Sequence, residues 1–270
     1  MKRRFACTLA LCAALSLQLQ AQRSELRLEK GWRFTRQDQA SFSTPDYNDS
    51  KWSRVTVPHD WAIYGPFSFE NDKQHLAIAQ DGQKEAMEHA GRTGGLPFVG
   101  AGWYRRSLDI PQDLGDRRVF LRFDGAMSHA RVYVNGKEVG YWPYGYNTFA
   151  FDVTPYVRPG ASNTLAVRLE NKHESSRWYP GAGLYRNVHL TITSPTYIPL
   201  WGTRIQTPSV SADQAYVSVE TKVAGLSHLA GRPLRIETKI LSPEGKVVAE
   251  RSESFSSKGA DSIYRTGFDI

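Results

Sequence analysis

The chain has 270 residues, 40% hydrophobic, 12% aromatic and 23% charged, with a formal net charge of +7. That aromatic load fills one or two substantial cores, which excludes general disorder and a fibrous repeat. The 2 cysteines, Cys7 and Cys12, both lie near the N-terminus, so the body of the protein has neither a disulfide framework nor a Cys-based zinc site.

Lys2, Arg3 and Arg4 precede an apolar stretch from Phe5 to Leu17, then polar Gln18 and Gln20, then Ala21. A basic start, a short apolar centre and a small residue at a cleavage point are the marks of a secretory signal peptide. The apolar run is shorter than the about 20 residues that span a bilayer. Residues 1–21 are therefore expected to be removed on export to the periplasm or beyond, the alternative being a buried N-terminal helix. Leu11 is bulky where lipid attachment at Cys12 wants a small residue, so a lipid anchor is not expected. No later segment is long and apolar enough for a span, and the remaining basic residues are scattered. Neither a membrane nor nucleic acid is an expected partner.

Beyond Ala21, helical signals are few. The stretch from Asn71 to Ala90 has room for a short helix around Gln83 to His89, but it has few apolar residues and Gly91 to Gly95 follows. It reads as a long surface excursion of the kind that tends to carry function. Val119 to Phe123 reads as a strand. Arg131 to Val134 runs into Asn135-Gly136 and then Lys137 to Tyr141, and Asn-Gly between alternating runs predicts a tight hairpin with positive φ at both turn residues. Asp152 to Val157 predicts one helical turn, with Thr154 as its cap and Pro155 at the first helical position. Leu165, Val167 and Leu169 alternate with Ala166, Arg168 and Glu170, a strand with one wet face. Tyr185 to Ile192, Tyr216 to Val223 and Leu234 to Leu241 follow the same pattern. Turn clusters separate them: Arg158-Pro159-Gly160, Pro180 to Gly183 and Ser242 to Gly245. Many short strands with regular turns predict an all-β protein built as a sandwich or barrel.

The composition changes near Ser194-Pro195: the chain before it is rich in Trp and Tyr, and no Trp follows Trp201. A domain of residues 22–194 and a second of 195–270 are expected. The second shows four or five strands, where an immunoglobulin-like sandwich needs about seven. It is expected to be incomplete and to leave sheet edges bare.

Several motifs, in order, resemble landmarks of the sugar-binding domain of family 2 glycoside hydrolases. They are Leu28 to Phe34, Asn48 to Trp52, Val57-Pro58-His59-Asp60-Trp61, Gly100 to Arg106, Phe123-Asp124-Gly125, Val132 to Gly136 and Pro143 to Tyr146. Asp152 to Pro155, Arg177 to Arg186 and Trp201-Gly202-Thr203 continue the series. The insertion with Gly91 to Pro97 resembles a subgroup usually described as β-galactosidases. The resemblance implies a jelly-roll β-sandwich, then an immunoglobulin-like sandwich, then a TIM barrel that carries the chemistry. A barrel takes about 250 residues, and two sandwiches already account for this chain. In the family the catalytic pair is two glutamates on barrel strands, the acid/base one preceded by Asn, and no Asn-Glu dipeptide occurs here. No catalytic residue is therefore assigned, and the chain alone is expected to be inactive.

For Pro58 to Trp61 two readings stand side by side. In one, Pro58 ends a strand, Asp60 ties the turn backbone and Trp61 fills a core; in the other, His59 or Asp60 reaches a sugar. Arg177, Trp178 and Tyr179 precede a Pro-Gly turn, where an aromatic face and a guanidinium fork suit a pyranose ring and its hydroxyls. The other reading of that loop is a domain–domain contact. Arg92, among glycines on the long excursion, is a further substrate candidate because the family brings this region near the active-site mouth. Tyr141, Trp142, Tyr144 and Tyr146 read either as strand-end core aromatics or as a carbohydrate platform. The 7 histidines show no metal-ligand spacing, and no cofactor is expected. The expected partners are a β-linked carbohydrate and the barrel; the alternative function is a stand-alone carbohydrate-binding or cell-surface module.

Overall fold

The computed structural model describes residues 22–68, 71, 84–85, 97–173 and 181–270. Its regular structure is almost entirely β. Strands β1 (Arg23–Arg27), β2 (Trp32–Thr35), β3 (Ser53–Val55), β4 (Gly100–Asp109), β5 (Arg118–Phe123), β6 (Ala130–Val134), β7 (Lys137–Trp142), β8 (Phe149–Asp152), β9 (Ser162–Asn171) and β10 (Val188–Thr193) form two antiparallel sheets. One has six strands in the order β3-β2-β4-β9-β6-β7, and the other has four in the order β1-β10-β5-β8. Alternation puts one face of each sheet inside. Val132, Val134, Leu165, Val167 and Leu169 on the larger sheet share a buried cluster with Val119, Leu121, Phe123, Val188 and Leu190 on the smaller. Each such side chain contributes about 1.5–3 kcal/mol on burial, so this two-layer sandwich is the stable body of the molecule.

The outer face of the larger sheet holds a second aromatic cluster. Phe42, Trp52, Trp103 and Ala166 pack together under the excursion between β2 and β3. Arg105, on the same face of β4 as Trp103, is only 2% exposed. It donates from Nε to Asp49 at 3.0 Å and from Nη1 to the carbonyls of Phe42 and Thr44 at 2.5 and 2.9 Å. The Asn48 to Trp52 motif and the Gly100 to Arg106 motif are thus two halves of one contact: a buried guanidinium gathering the carbonyls of a loop that has no ladder of its own.

Asn135 and Gly136 stand at φ 52 and 81 between β6 and β7, as the Asn-Gly signal requires. Asn135 does more than turn the chain: its Nδ2 donates to Tyr156 O at 2.8 Å and its Oδ1 accepts from Thr164 N at 3.0 Å. The expected turn after β8 is a short 3-10 segment, Thr154–Tyr156, but Thr154 is its first residue and not its cap. The cap residue is Val153; ahead of it Asp152 Oδ1 accepts from Thr154 N at 3.0 Å in a side-chain turn, while Thr154 Oγ1 accepts from Val119 N at 2.8 Å and closes the end of β5. The helix expected around Gln83 to His89 lies outside the described residues.

After residue 194, β11 (Thr203–Val210), β12 (Ala215–Val223) and β15 (Ser262–Asp269) form a three-stranded sheet, and β13 (Pro233–Leu241) pairs with β14 (Val247–Ser256). Their buried apolar residues are few: Val219, Val223, Ala224, Leu226 and Phe268. The segment between the two regions lies on the smaller sheet of the sandwich. Tyr197 packs on Phe120 at 5.2 Å and bridges to Ala224.

Candidate functional site

The chain leaves β3 through Val57, whose N–H donates to Glu29 O at 2.8 Å, and the Val57–Pro58 peptide is cis. His59 N then donates to Leu184 O at 2.7 Å. Asp60 Oδ1 accepts from Ala62 N at 3.0 Å, a side-chain turn of the kind Asp favours. Trp61 is driven inside, 2% exposed, with its indole stacked on Phe34 at 5.4 Å. Space for it comes from Gly102 in β4, where an added Cβ would sit 2.6 Å from the Trp61 ring. Trp61 Nε1 is buried and has no hydrogen-bond partner among the described residues.

Residues 181–186 fold back onto this turn. Gly183, at φ +87, exchanges backbone hydrogen bonds with Met127 at 2.9 and 3.1 Å. An added Cβ there would lie 2.3 Å from Tyr104 Oη and 2.6 Å from His59 O, so only glycine fits. Asn171 Nδ2 donates to Gly181 O at 3.1 Å, and the Cα of Gly181 faces the Asp60 carboxylate. The strand expected from Tyr185 begins instead at Val188, because Leu184 and Tyr185 are committed to this loop.

Tyr104 lies beneath the pair of turns, fully buried, with its hydroxyl 2.7 Å from His59 Nδ1. Burial pushes the Tyr104 hydroxyl well above the ordinary tyrosine value, so it stays protonated. Burial also lowers the His59 imidazole below the ordinary histidine value, with neighbouring Asp60 opposing the shift. His59 is therefore neutral at pH 7, and the Tyr104–His59 contact is a neutral hydrogen bond. Tyr64 stacks over the outer face of His59 at 6.2 Å and is 74% exposed.

Arg54, Val55, Thr56, Pro58, His59, Asp60, Ile63, Tyr64 and Tyr185 line an open depression of about 640 Å³. Asp60 is the one carboxylate among its described lining residues. Hydroxyls, a guanidinium, a carboxylate and exposed rings suit a polyhydroxylated ligand, and the described lining residues include no second acid for bond cleavage. Of the sequence candidates, the structure brings His59 and Asp60 together here; Arg92, Arg177, Trp178 and Tyr179 lie outside the described residues. The anchors of both loops that carry them converge at this edge: Gly100 at the start of β4 is the register partner of Asn171 at the end of β9. Tyr64, Tyr104 and Tyr185 were not singled out from sequence. Tyr104 and Tyr185 lie within motifs of the sequence, but nothing in the spacing pointed to a role for either or for Tyr64. A smaller cavity of about 240 Å³ lies at the seam between the smaller sheet and residues 197–201. No group of three or more metal-ligating side chains converges among the described residues.

Residues 26–195 match the family described as glycosyl hydrolases family 2, sugar binding domain. A β-galactosidase of Bacteroides ovatus is 33% identical over 95% of this chain and 28% of its own length. A β-glucuronidase of Bacteroides fragilis is 32% identical over 91% of this chain and 32% of its own. Among solved structures, a family 2 member from Bacteroides cellulosilyticus superposes with a TM-score of 0.79 at 30% identity, covering 91% of this chain and 30% of that one. The chain thus spans less than a third of the length of these relatives. With the motifs, the two-layer sandwich and these likenesses in agreement, the chain belongs to glycoside hydrolase family 2.

Proposed function

We propose that this chain is the N-terminal, non-catalytic part of an exported retaining glycosidase that removes terminal β-galactosyl units. The observation that carries the reading is the family match over 26–195 together with the β-galactosidase relative, of which the chain covers 28%. In this reading residues 22–194 are the sugar-binding jelly roll. Residues 195–270 are an immunoglobulin-like sandwich whose missing layer comes from further polypeptide, and residues 1–21 are the export signal. A barrel supplies the two carboxylates, which double displacement needs about 5–5.5 Å apart. The depression beside His59 and Asp60 walls one side of the pocket, and Arg92, Arg177, Trp178 and Tyr179 are its further substrate candidates.

The similarity to a β-glucuronidase at 32% identity favours a second reading, in which the sugar is a uronic acid. One assay separates the two. The chain extended through its downstream coding sequence is given nitrophenyl β-galactoside and nitrophenyl β-glucuronide. Hydrolysis of the first supports the galactosidase reading, hydrolysis of the second alone replaces it, and a downstream sequence without a barrel overturns both.

A further inference from the structure

The aromatic run from Tyr141 to Tyr146 divides in two. Trp142 belongs to the sandwich interior, its ring stacked on Phe149 at 5.6 Å. Tyr141 is held by its neighbours, with its hydroxyl 2.6 Å from His129 Nδ1 and Arg131 over its ring at 4.9 Å. Tyr144 and Tyr146 pack on each other, with ring centroids 5.5 Å apart, and Tyr144 is 53% exposed.

Beside this turn lies Tyr185. Its hydroxyl donates to Gly145 O at 2.9 Å, between the two tyrosines, and both lie near enough to act on it electrostatically. Tyr185 also lines the depression that holds His59, Asp60 and Tyr64. One ring therefore joins the depression to the 143–146 turn. The junction is rigid. Gly145 is buried against Met127, where an added Cβ would lie 2.3 Å from the sulfur, and His129 N donates to Pro143 O at 3.1 Å. Met127 is itself hydrogen-bonded to Gly183 in the loop that carries Tyr185.

Tyr64, Tyr185, Tyr146 and Tyr144 make a row of rings, each ending in a hydroxyl. It presents π-faces to the C–H faces of pyranose rings and acceptors and donors to their hydroxyls. Arg54 and Arg186 flank it with further donors, Arg186 lying 5.5 Å over the Tyr185 ring.

Resting on the reading of this chain as part of a glycosidase, we propose that Tyr64, Tyr185, Tyr146 and Tyr144 form one continuous binding track for an extended β-linked oligosaccharide. The sugar chain runs from the depression at Asp60 to the 143–146 turn. The preferred ligand of this face is then a polymer several pyranose rings long, and Tyr144 marks the end of the track away from Asp60.

The test is titration of the 270-residue chain with galactose and with β-1,4-galacto-oligosaccharides up to the hexasaccharide, followed by calorimetry, with a parallel series of glucuronate-terminated oligomers. Affinity is expected to rise with chain length and then level off. Tyr144→Ala should weaken the longest oligomers by about three- to tenfold, the effect of one stacking contact, and leave the monosaccharide unchanged. The series that binds more tightly identifies the sugar. Equal affinity for short and long oligomers, with Tyr144→Ala neutral, overturns the track and leaves the glycosidase reading intact. No glycan binding by any member overturns the track as well, and light scattering then shows whether Tyr144 instead holds two copies together. Thermal unfolding of the variant at the wild-type temperature confirms that the fold is unchanged.

Discussion

The two β regions of this chain have the same strand alternation and opposite fates. In the sandwich of β1 to β10, the inward residues of the two sheets meet in one buried cluster, and Trp32, Trp61 and Tyr104 within it are buried to within 2% exposure. In the sheets of β11 to β15, alternating apolar residues meet little. All eight residues of β11 are exposed, and Ile205, Val210, Val247 and Ile263 are each at least half exposed. Alternation thus makes a strand amphipathic, but only a second layer turns that into stability.

Breaking the sandwich from its outer face should have the largest effect. Arg105→Ala leaves Asp49 and several loop carbonyls without their donor, and a loss of about 3–5 kcal/mol is expected from urea denaturation. Trp61→Ala is expected to cost about 3–5 kcal/mol, while Trp61→Phe, which keeps the stack on Phe34 and removes an unpartnered N–H, should stay within about 1.5 kcal/mol. In the C-terminal region Ile205→Thr should change stability by no more than about 0.5 kcal/mol. Amide exchange should be faster across β11 to β15 than across β4, β5 and β9; equal protection would remove the distinction between the regions.

The smallest effect concerns pH. Burial lowers His59 and also His129 below the ordinary histidine value. Groups lowered in the folded state favour folding above their unfolded value near 6.5, and that contribution is lost as pH falls below it. The melting temperature should therefore fall between pH 6.5 and 5, above the range where Glu25, Asp38 and Asp152 lose their charge. His59→Gln should flatten part of that fall; an unchanged slope would place the sensitivity elsewhere.

How far the sequence could be read depended on the distance between cause and effect along the chain. Asn135-Gly136 and the β9 alternation act within a few residues and were legible, but the expected wet face of β9 is partly covered, with Ala166 fully buried in the cluster of Trp103. Arg105 looked like one more strand residue, because its partners lie near Asp49 and only the fold brings them together. Thr154 had the composition of a cap, but its hydroxyl donates to Asp152 two residues earlier and accepts from Val119 N at the end of β5. His59 and Asp60 were legible as candidates from their motif. Tyr185 was not, because its role comes from joining a loop to a turn some 40 residues away.

The central claim is that this chain offers a surface for sugar without the acid pair that cleaves it, and the purified 270-residue chain tests that most directly. Incubated with nitrophenyl β-galactoside, it should release no nitrophenol above the buffer rate, and Asp60→Asn should make no difference. Turnover by the wild-type chain that Asp60→Asn abolishes would contradict the account.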